Sequence, residues 1–438
     1  MRKHLFLWTV LVPALFSQSP PVVAIRNARL HPVSGPVIEK GTVVLRNGLI
    51  SDIGAAVSVP SDAWVLEGDG LDVYPGLIDG LSSIGIPEPA PNTGTAPPAA
   101  APRPGAPQSL PPPARGPEDR PLTNSWVRAA DLLRANERRI ELARSAGYTT
   151  SATFPSVGIF GGQGAIVDFG GEDAGRMVVQ QGIGQYITLA RNGFTAFPGS
   201  LMGTISYIRQ VYLDADRYRT AKGLYSQKPQ GLERPAYDRA LEGVLESPRV
   251  LLPAVSDTEI HRMIHFAKEL KVNPVLYGLL DGYKAAAAIK SAGIPVLVTL
   301  KWPEAPRDGD PDEVDTIRTL ELRENTPATP AALAKAGVPF AFYTDNIPPA
   351  DLGRSIRRAI EKGLTADQAL RALTLSPAEI YGVADRIGSI DRGKIANLVV
   401  TKGDLFREGS RVQYVFVDGV RYEPPPPAAA PAKPEATQ

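Results

Sequence analysis

The chain has 438 residues, with 47 Lys+Arg against 46 Asp+Glu and a formal net charge of +1. That length calls for a large α/β domain plus a second unit, and the even charge balance, without Lys/Arg runs, speaks against a nucleic-acid partner. With no cysteine, disulfides, thiolate zinc sites and thiol nucleophiles are excluded, and histidine occurs only at His4, His31, His261 and His265.

The chain opens "MRKHLFLWTVLVPALFSQSPPVV". Arg2 and Lys3 precede an apolar run from Leu5 to Phe16, and small polar residues follow. This pattern predicts a secretory signal peptide over residues 1–20. The run is short of the roughly 20 apolar residues of a membrane span, although an uncleaved anchor is the rival reading. After cleavage the chain has no integral span, His4 is gone, and the protein is periplasmic or extracellular.

From Val22 to Val73 the pattern is strand-like. "VVAIRNARLHPV", "GTVVLRNGLISDIG" and "WVLEGDGLDVYPG" are apolar runs broken by turn residues. Asn47-Gly48 predicts a tight hairpin, because both residues accept positive φ. His31 falls in the first strand and is read as a structural histidine.

From Pro75 onward short apolar strands alternate with helical segments. "GYTTSATF", "RVLLPAV", "NPVLYG", "IPVLVTL" and "VPFAFYTD" read as strands; "SDTEIHRMIHFAKEL", "DGYKAAAAIKSAG" and "TPAALAKAG" read as helices. Such alternation predicts βα units, a parallel sheet and, at this length, a (β/α)₈ TIM barrel. "FGGQGA" (160–165) lacks the lysine of a phosphate loop and is read as a tight loop. Residues 87–121 are too rich in Pro and Ala to pack and form a Pro-rich insert; residues 424–438 form a similar tail. Near the end, Thr365 and Ser376 are predicted N-caps, with Pro377 at the first helical position. Strands return in "IANLVVTKGD" and "VQYVFVDGVRY". The predicted organisation is a composite β-sandwich from residues 21–74 and 386–423, and a distorted (β/α)₈ barrel over residues 75–385.

Three stretches carry a family resemblance. "GLTADQALRALTLSPAEIYGVADRIGSIDRGKIANLVVTKGDLF", "VVLRNGLISDIG…VYPGLID" and "AGVPFAFYTD" together resemble the amidohydrolase superfamily, in particular its imidazolonepropionase-like branch. The resemblance covers residues 22–422 apart from the Pro-rich insert. One departure lies in the closing motif, where the family's usual Ala-Asp is Ala396-Asn397.

The resemblance implies a distorted (β/α)₈ barrel with a β-sandwich built from both chain ends. It also implies metal-assisted hydrolysis, mostly of C–N bonds, with zinc or another divalent metal activating water. Of the residues that chemistry uses, Asp79 matches the aspartate of the PGLID motif and Asp345 the aspartate after the last strand. The two first-strand histidines fall on Leu81 and Ser83. The middle-strand histidines fall near Pro253, Val255 and Ser256, and near Tyr277 and Gly278. "QYITLARNGF" offers no strand lysine for carbamylation. His261 and His265 have the i,i+4 spacing of a metal pair, but Arg262 stands where HExxH has Glu, and their helix belongs outside the barrel.

The resulting expectation is a secreted amidohydrolase-family protein without its metal centre and with no cofactor. It would act as a binding or partner subunit for a small-molecule ligand or an active paralogue, as a homo- or hetero-oligomer. The alternative is a hydrolase of amide or cyclic-amide bonds, with Asp345 and Asp79 as an acid–base pair at the barrel mouth.

Overall fold

The computed structural model describes residues 22–88, 120–191, 197–305 and 314–424. The expected signal segment, residues 89–119 of the Pro-rich insert and the tail from residue 425 lie outside the described residues.

Five strands open the chain: β1 (Val22–Leu30), β2 (Ile38–Arg46), β3 (Leu49–Gly54), β4 (Trp64–Glu67) and β5 (Asp72–Pro75). One edge of β1 runs antiparallel to β2. Its other edge is shared, pairing parallel to β4 through Val23–Arg26 and to β5 through Arg29–Leu30. Val23 and Ile25 pack into one core, Val22 and Ala24 into another, as the period of two requires for a strand covered on both faces. Asn47 and Gly48 join β2 to β3 with φ of 52° and 80°, the predicted tight turn.

β6 (Leu77–Ser82) starts the barrel. α1 (Ala129–Leu132) and α2 (Arg138–Ser145) lead to β7 (Tyr148–Thr153), β8 (Phe160–Asp168) and β9 (Val178–Ile187). α3 (Leu201–Gln227) and α4 (Arg239–Leu245) precede β10 (Val250–Ala254). Alternation follows with α5 (Asp257–Leu270), β11 (Pro274–Gly278), α6 (Gly282–Ala292), β12 (Val296–Thr299), α7 (Ile317–Asn325), α8 (Thr329–Ala336), β13 (Phe340–Tyr343) and α9 (Pro349–Glu361). Strands β6 to β13 are neighbours in chain order. The inner core takes at least one side chain from each of them: Ile78, Ala152, Ile166, Ile183, Leu251, Val275, Leu297 and Ala341.

Two expectations are corrected here. The sheet is not wholly parallel, because β8 runs antiparallel to both β7 and β9. Only residues 154–159 link β7 to β8, too few for the crossover of a dozen or more residues that a parallel pair needs, so the chain must double back. And "FGGQGA" is the start of β8, not a loop. Its glycines are there for space. A Cβ on Gly161 would collide with the Pro155 carbonyl, and one on Gly164 with the Phe154 ring.

The barrel seam between β6 and β13 carries no ladder pairing. It is sealed instead by side chains and by α10 (Ala366–Ala372) and α11 (Leu375–Tyr381). Ile78 N donates to Leu373 O, and the Tyr381 hydroxyl donates to Gly80 O at 2.7 Å. Backbone groups of β6 that a ladder would satisfy are thus partnered. Thr365 caps α10 in a box with Gln368, as predicted. Ser376 does not cap: α11 starts at Leu375, its N-cap position is Thr374, and Ser376 lies inside the helix.

β14 (Leu398–Lys402), β15 (Arg411–Val417) and β16 (Val420–Tyr422) complete the first sheet in the order β16-β15-β14-β5-β1-β2-β3. Strands from both chain ends therefore share one sheet, and its core joins Ile25, Leu45 and Val73 to Leu398, Val400 and Phe416. The fold is a mixed α/β architecture with a nearly closed eight-strand barrel and a separate β unit from the chain ends.

Candidate site at the barrel mouth

At the strand C-terminal ends lies a cavity of about 130 Å³, lined by Leu81, Ser83, Phe154, Tyr186, Tyr277, Tyr343 and Asp345 among others. Asp345 follows β13 directly. It and Asn346 hold φ of 50° and 58°, two successive left-handed residues that are not glycine, each of which costs on the order of 1 kcal/mol. Asp345 is half-buried and has no ion pair among the described residues; Thr299 Oγ1 approaches its Oδ2 at 3.5 Å. Burial raises its carboxyl above the usual range, opposed by the charge of Lys301 and by Thr299.

Asp79 does not lie in this cavity, contrary to the expectation of an acid–base pair at the mouth. It is 1% exposed. Its Oδ1 accepts from Thr344 N at 3.0 Å and its Oδ2 from Thr344 Oγ1 at 2.6 Å. Leu81 N also approaches Oδ1, at 3.4 Å. Burial pushes its carboxyl up to about 6, while the Thr344 and Leu81 donors act against the rise. Both carboxylate oxygens are taken up by Thr344 and Leu81, so Asp79 acts on the last strand rather than on solvent.

The other positions are committed elsewhere. Leu81 is 6% exposed and belongs to the inner core. Ser83 Oγ accepts from Arg139 Nη1 at 3.0 Å, and the same guanidinium holds Ser83 O and Ile86 O. Ser256 caps α5 in a box with Glu259. The Tyr277 hydroxyl donates to Ile187 O at 3.0 Å, and its ring lies 5.3 Å from that of Tyr186. β9, where a carbamylated lysine would stand, contains none.

A catalytic zinc takes three protein ligands, usually imidazole and carboxylate, and leaves one position open. The mouth offers one free carboxylate, hydroxyls and aromatic rings, and this donor set does not fit such a metal. Among the described residues no group of three or more His, Asp or Glu is placed to hold a metal ion. His31 Nε2 lies 2.9 Å from Asp72 and stacks on Tyr74, within the composite sheet. His261 and His265 lie on α5, and His261 lies 3.6 Å from Asp257.

Residue-by-residue reading of the sequence did not single out Phe154, Tyr186, Tyr343 or Thr344. For Tyr343 a signal existed. In "FAFYTD" the period of two sends Phe340 and Phe342 to the helix-facing core and Ala341 and Tyr343 to the barrel interior. Phe154 and Tyr186 reach the mouth from loop and strand positions that local pattern does not distinguish.

Comparison with known proteins matches the family described as "Amidohydrolase family" over residues 249–421. An adenine deaminase of Moorella thermoacetica is 41% identical over 68 residues, covering 16% of this chain and 11% of that protein. An imidazolonepropionase of Flavobacterium johnsoniae is 37% identical over 109 residues, covering 21% of this chain and 26% of that protein. The matched stretches thus span far less than two thirds of these relatives' lengths. The likeness to a solved amidohydrolase from Thermotoga maritima is much wider: TM-score 0.74 at 26% identity, over 92% of this chain and 100% of that one. Barrel, composite sheet, closing motif and these matches agree, and the chain belongs to the amidohydrolase superfamily.

Proposed function

We propose that this chain is an amidohydrolase-fold protein that has lost the divalent-metal centre and serves as a binding or partner subunit. Its counterpart would be a small-molecule ligand or an active member of the same superfamily. The observation that carries the reading is the set of side chains at the strand ends: Leu81 is core, Ser83 is held by Arg139, Ser256 is a helix cap and Tyr277 is bonded to backbone. Loss of a single supporting partner costs a metal site roughly 10–100-fold in affinity, and here no imidazole stands at any ligand position. The mouth cavity of about 130 Å³ is also below the roughly 300–1,000 Å³ of ordinary ligand pockets.

Metal content is the test. The mature chain, purified without chelator or His-tag and incubated with zinc, manganese, iron or nickel, should hold close to none per chain by plasma mass spectrometry. A stoichiometry near one overturns the reading.

One observation favours a second reading, hydrolysis of amide or cyclic-amide bonds at a reduced site. Asp345 lines the mouth with its carboxyl raised by burial, as suits a general acid or base. Any hydrolysis detected should then vanish in Asp345→Asn. Export is proposed on the N-terminal pattern alone; intact-mass analysis of the periplasmic or secreted form should show a chain starting near residue 21.

A further inference from the structure

Away from the mouth, a cavity of about 820 Å³ lies between α9, the start of β7 and the segment from Leu405 to Tyr414. It is lined by four arginines, Arg354 and Arg357 on α9 and Arg407 and Arg411 on the other wall, against one carboxylate, Glu423. Glu423 pairs with Arg421 at 3.3 Å, and Arg354 with Asp351 at 3.0 Å. Arg357, Arg407 and Arg411 make no ion pair and no side-chain hydrogen bond among the described residues. Arg357 is only partly exposed. For a chain of net charge +1, this is a local excess that only the fold assembles.

The start of α9 and Tyr148 complete the lining. Pro349 and Ala350, the first residues of the 13-residue α9, line the cavity, and no side chain caps that helix end. Pro348 and Pro349 carry no N–H and Asp351 N donates to Pro348 O, so the Ala350 N–H is the donor left at this end. Tyr148 also lines the cavity, but the charge acting on its buried hydroxyl is that of Asp79 at the barrel seam.

We infer that this groove binds a compact polyanion, a small molecule carrying two or more phosphate or carboxylate groups. Guanidinium forks on opposite walls suit oxyanions held bidentately. The volume matches a small molecule rather than a single ion. The inference does not depend on the state of the barrel mouth.

Calorimetric titration of the full chain with pyrophosphate, citrate and acetate, at low and at high salt, tests it. One or both polyanions should bind, acetate should not, and affinity should fall with salt. Pyrophosphate alone would assign phosphate chemistry, and citrate alone carboxylate chemistry. Arg357→Gln and Arg411→Gln should each weaken binding about tenfold or more, Arg411→Lys less, and Arg219→Gln on α3 not at all. Absence of heat with both polyanions, or binding that survives the Arg357→Gln, Arg411→Gln double substitution, overturns the proposal.

Discussion

Asp79 and Thr344, separated by 265 positions in the chain, are joined by two hydrogen bonds, one from the Thr344 backbone and one from its hydroxyl. They tie the first barrel strand to the end of the last, where no ladder closes the sheet. In this chain Asp79 is a fastener of the barrel.

The fastener can be loosened at one atom. Thr344→Val keeps the shape and the backbone donor but removes the hydroxyl that Asp79 Oδ2 receives. A buried carboxylate left short of a donor costs on the order of 2–3 kcal/mol. Urea unfolding should show a loss of that size, with an unchanged m-value. Unaltered stability would mean that the seam is held by the closing helices alone.

Two buried carboxylates set an unusual pH dependence. Burial raises Asp79 to about 6. Asp168 is raised to about 7 by burial and by the charge of Asp418, with Thr150 and Asn397 acting against the rise. Both folded values lie above the unfolded value of about 3.9. Their contribution is therefore fully present below about pH 4 and lost as pH rises through about 6 for Asp79 and about 7 for Asp168. Relative to wild type, Asp168→Asn should gain stability between pH 4 and pH 8, by on the order of 2–4 kcal/mol. Thermal unfolding across that range measures it, and a constant difference between the two proteins would contradict it.

Asn397 stands where the superfamily's closing motif usually has aspartate, and its amide uses both ends. Oδ1 accepts from Asp418 N at 2.9 Å, and Nδ2 donates to Thr150 Oγ1 at 3.2 Å, the hydroxyl that itself donates to Asp168. Asn397→Asp would remove the donor and place a third carboxylate beside Asp168 and Asp418. Stability should drop by about 1–3 kcal/mol, more at pH 8 than at pH 5, because the repulsion grows as the carboxyls ionise. Denaturant midpoints at the two pH values decide it.

Gly164 tests the packing of β8. A Cβ there would overlap the Phe154 ring, and overfilling a packed core costs about 1–3 kcal/mol. Gly164→Ala should lose that much. Combined with Phe154→Leu it should lose less than the two separate losses added together, since the smaller side chain vacates the space. Simple additivity would show that the strand yields by moving its backbone.

Much of the fold is legible along the chain because its signals are local. Asn47-Gly48 accepts positive φ, Thr365 and Gln368 cap a helix, and "NPVLYG" followed by a helical stretch reads as a βα unit. The reversed strand β8 was not legible, because glycine reads as a turn residue unless the neighbours that crowd it, Pro155 and Phe154, are known. At the site, the sequence placed Asp345 after the last strand and showed Leu81 and Ser83 where the family has histidine. It could not tell that Asp79 is taken up by Thr344, nor that Tyr186 and Tyr277 meet over the mouth.

The sequence by itself determined the superfamily, the two-part architecture and the identity of the residues at each strand end, since all of these follow from short-range pattern and from the order of motifs. Only the tertiary structure decided what those residues face. Barrel closure sets Asp79 against Thr344, and the return of the C-terminal strands sets Arg407 and Arg411 across a groove from Arg357. Such pairings depend on contacts between residues far apart in the chain, and no local propensity encodes them.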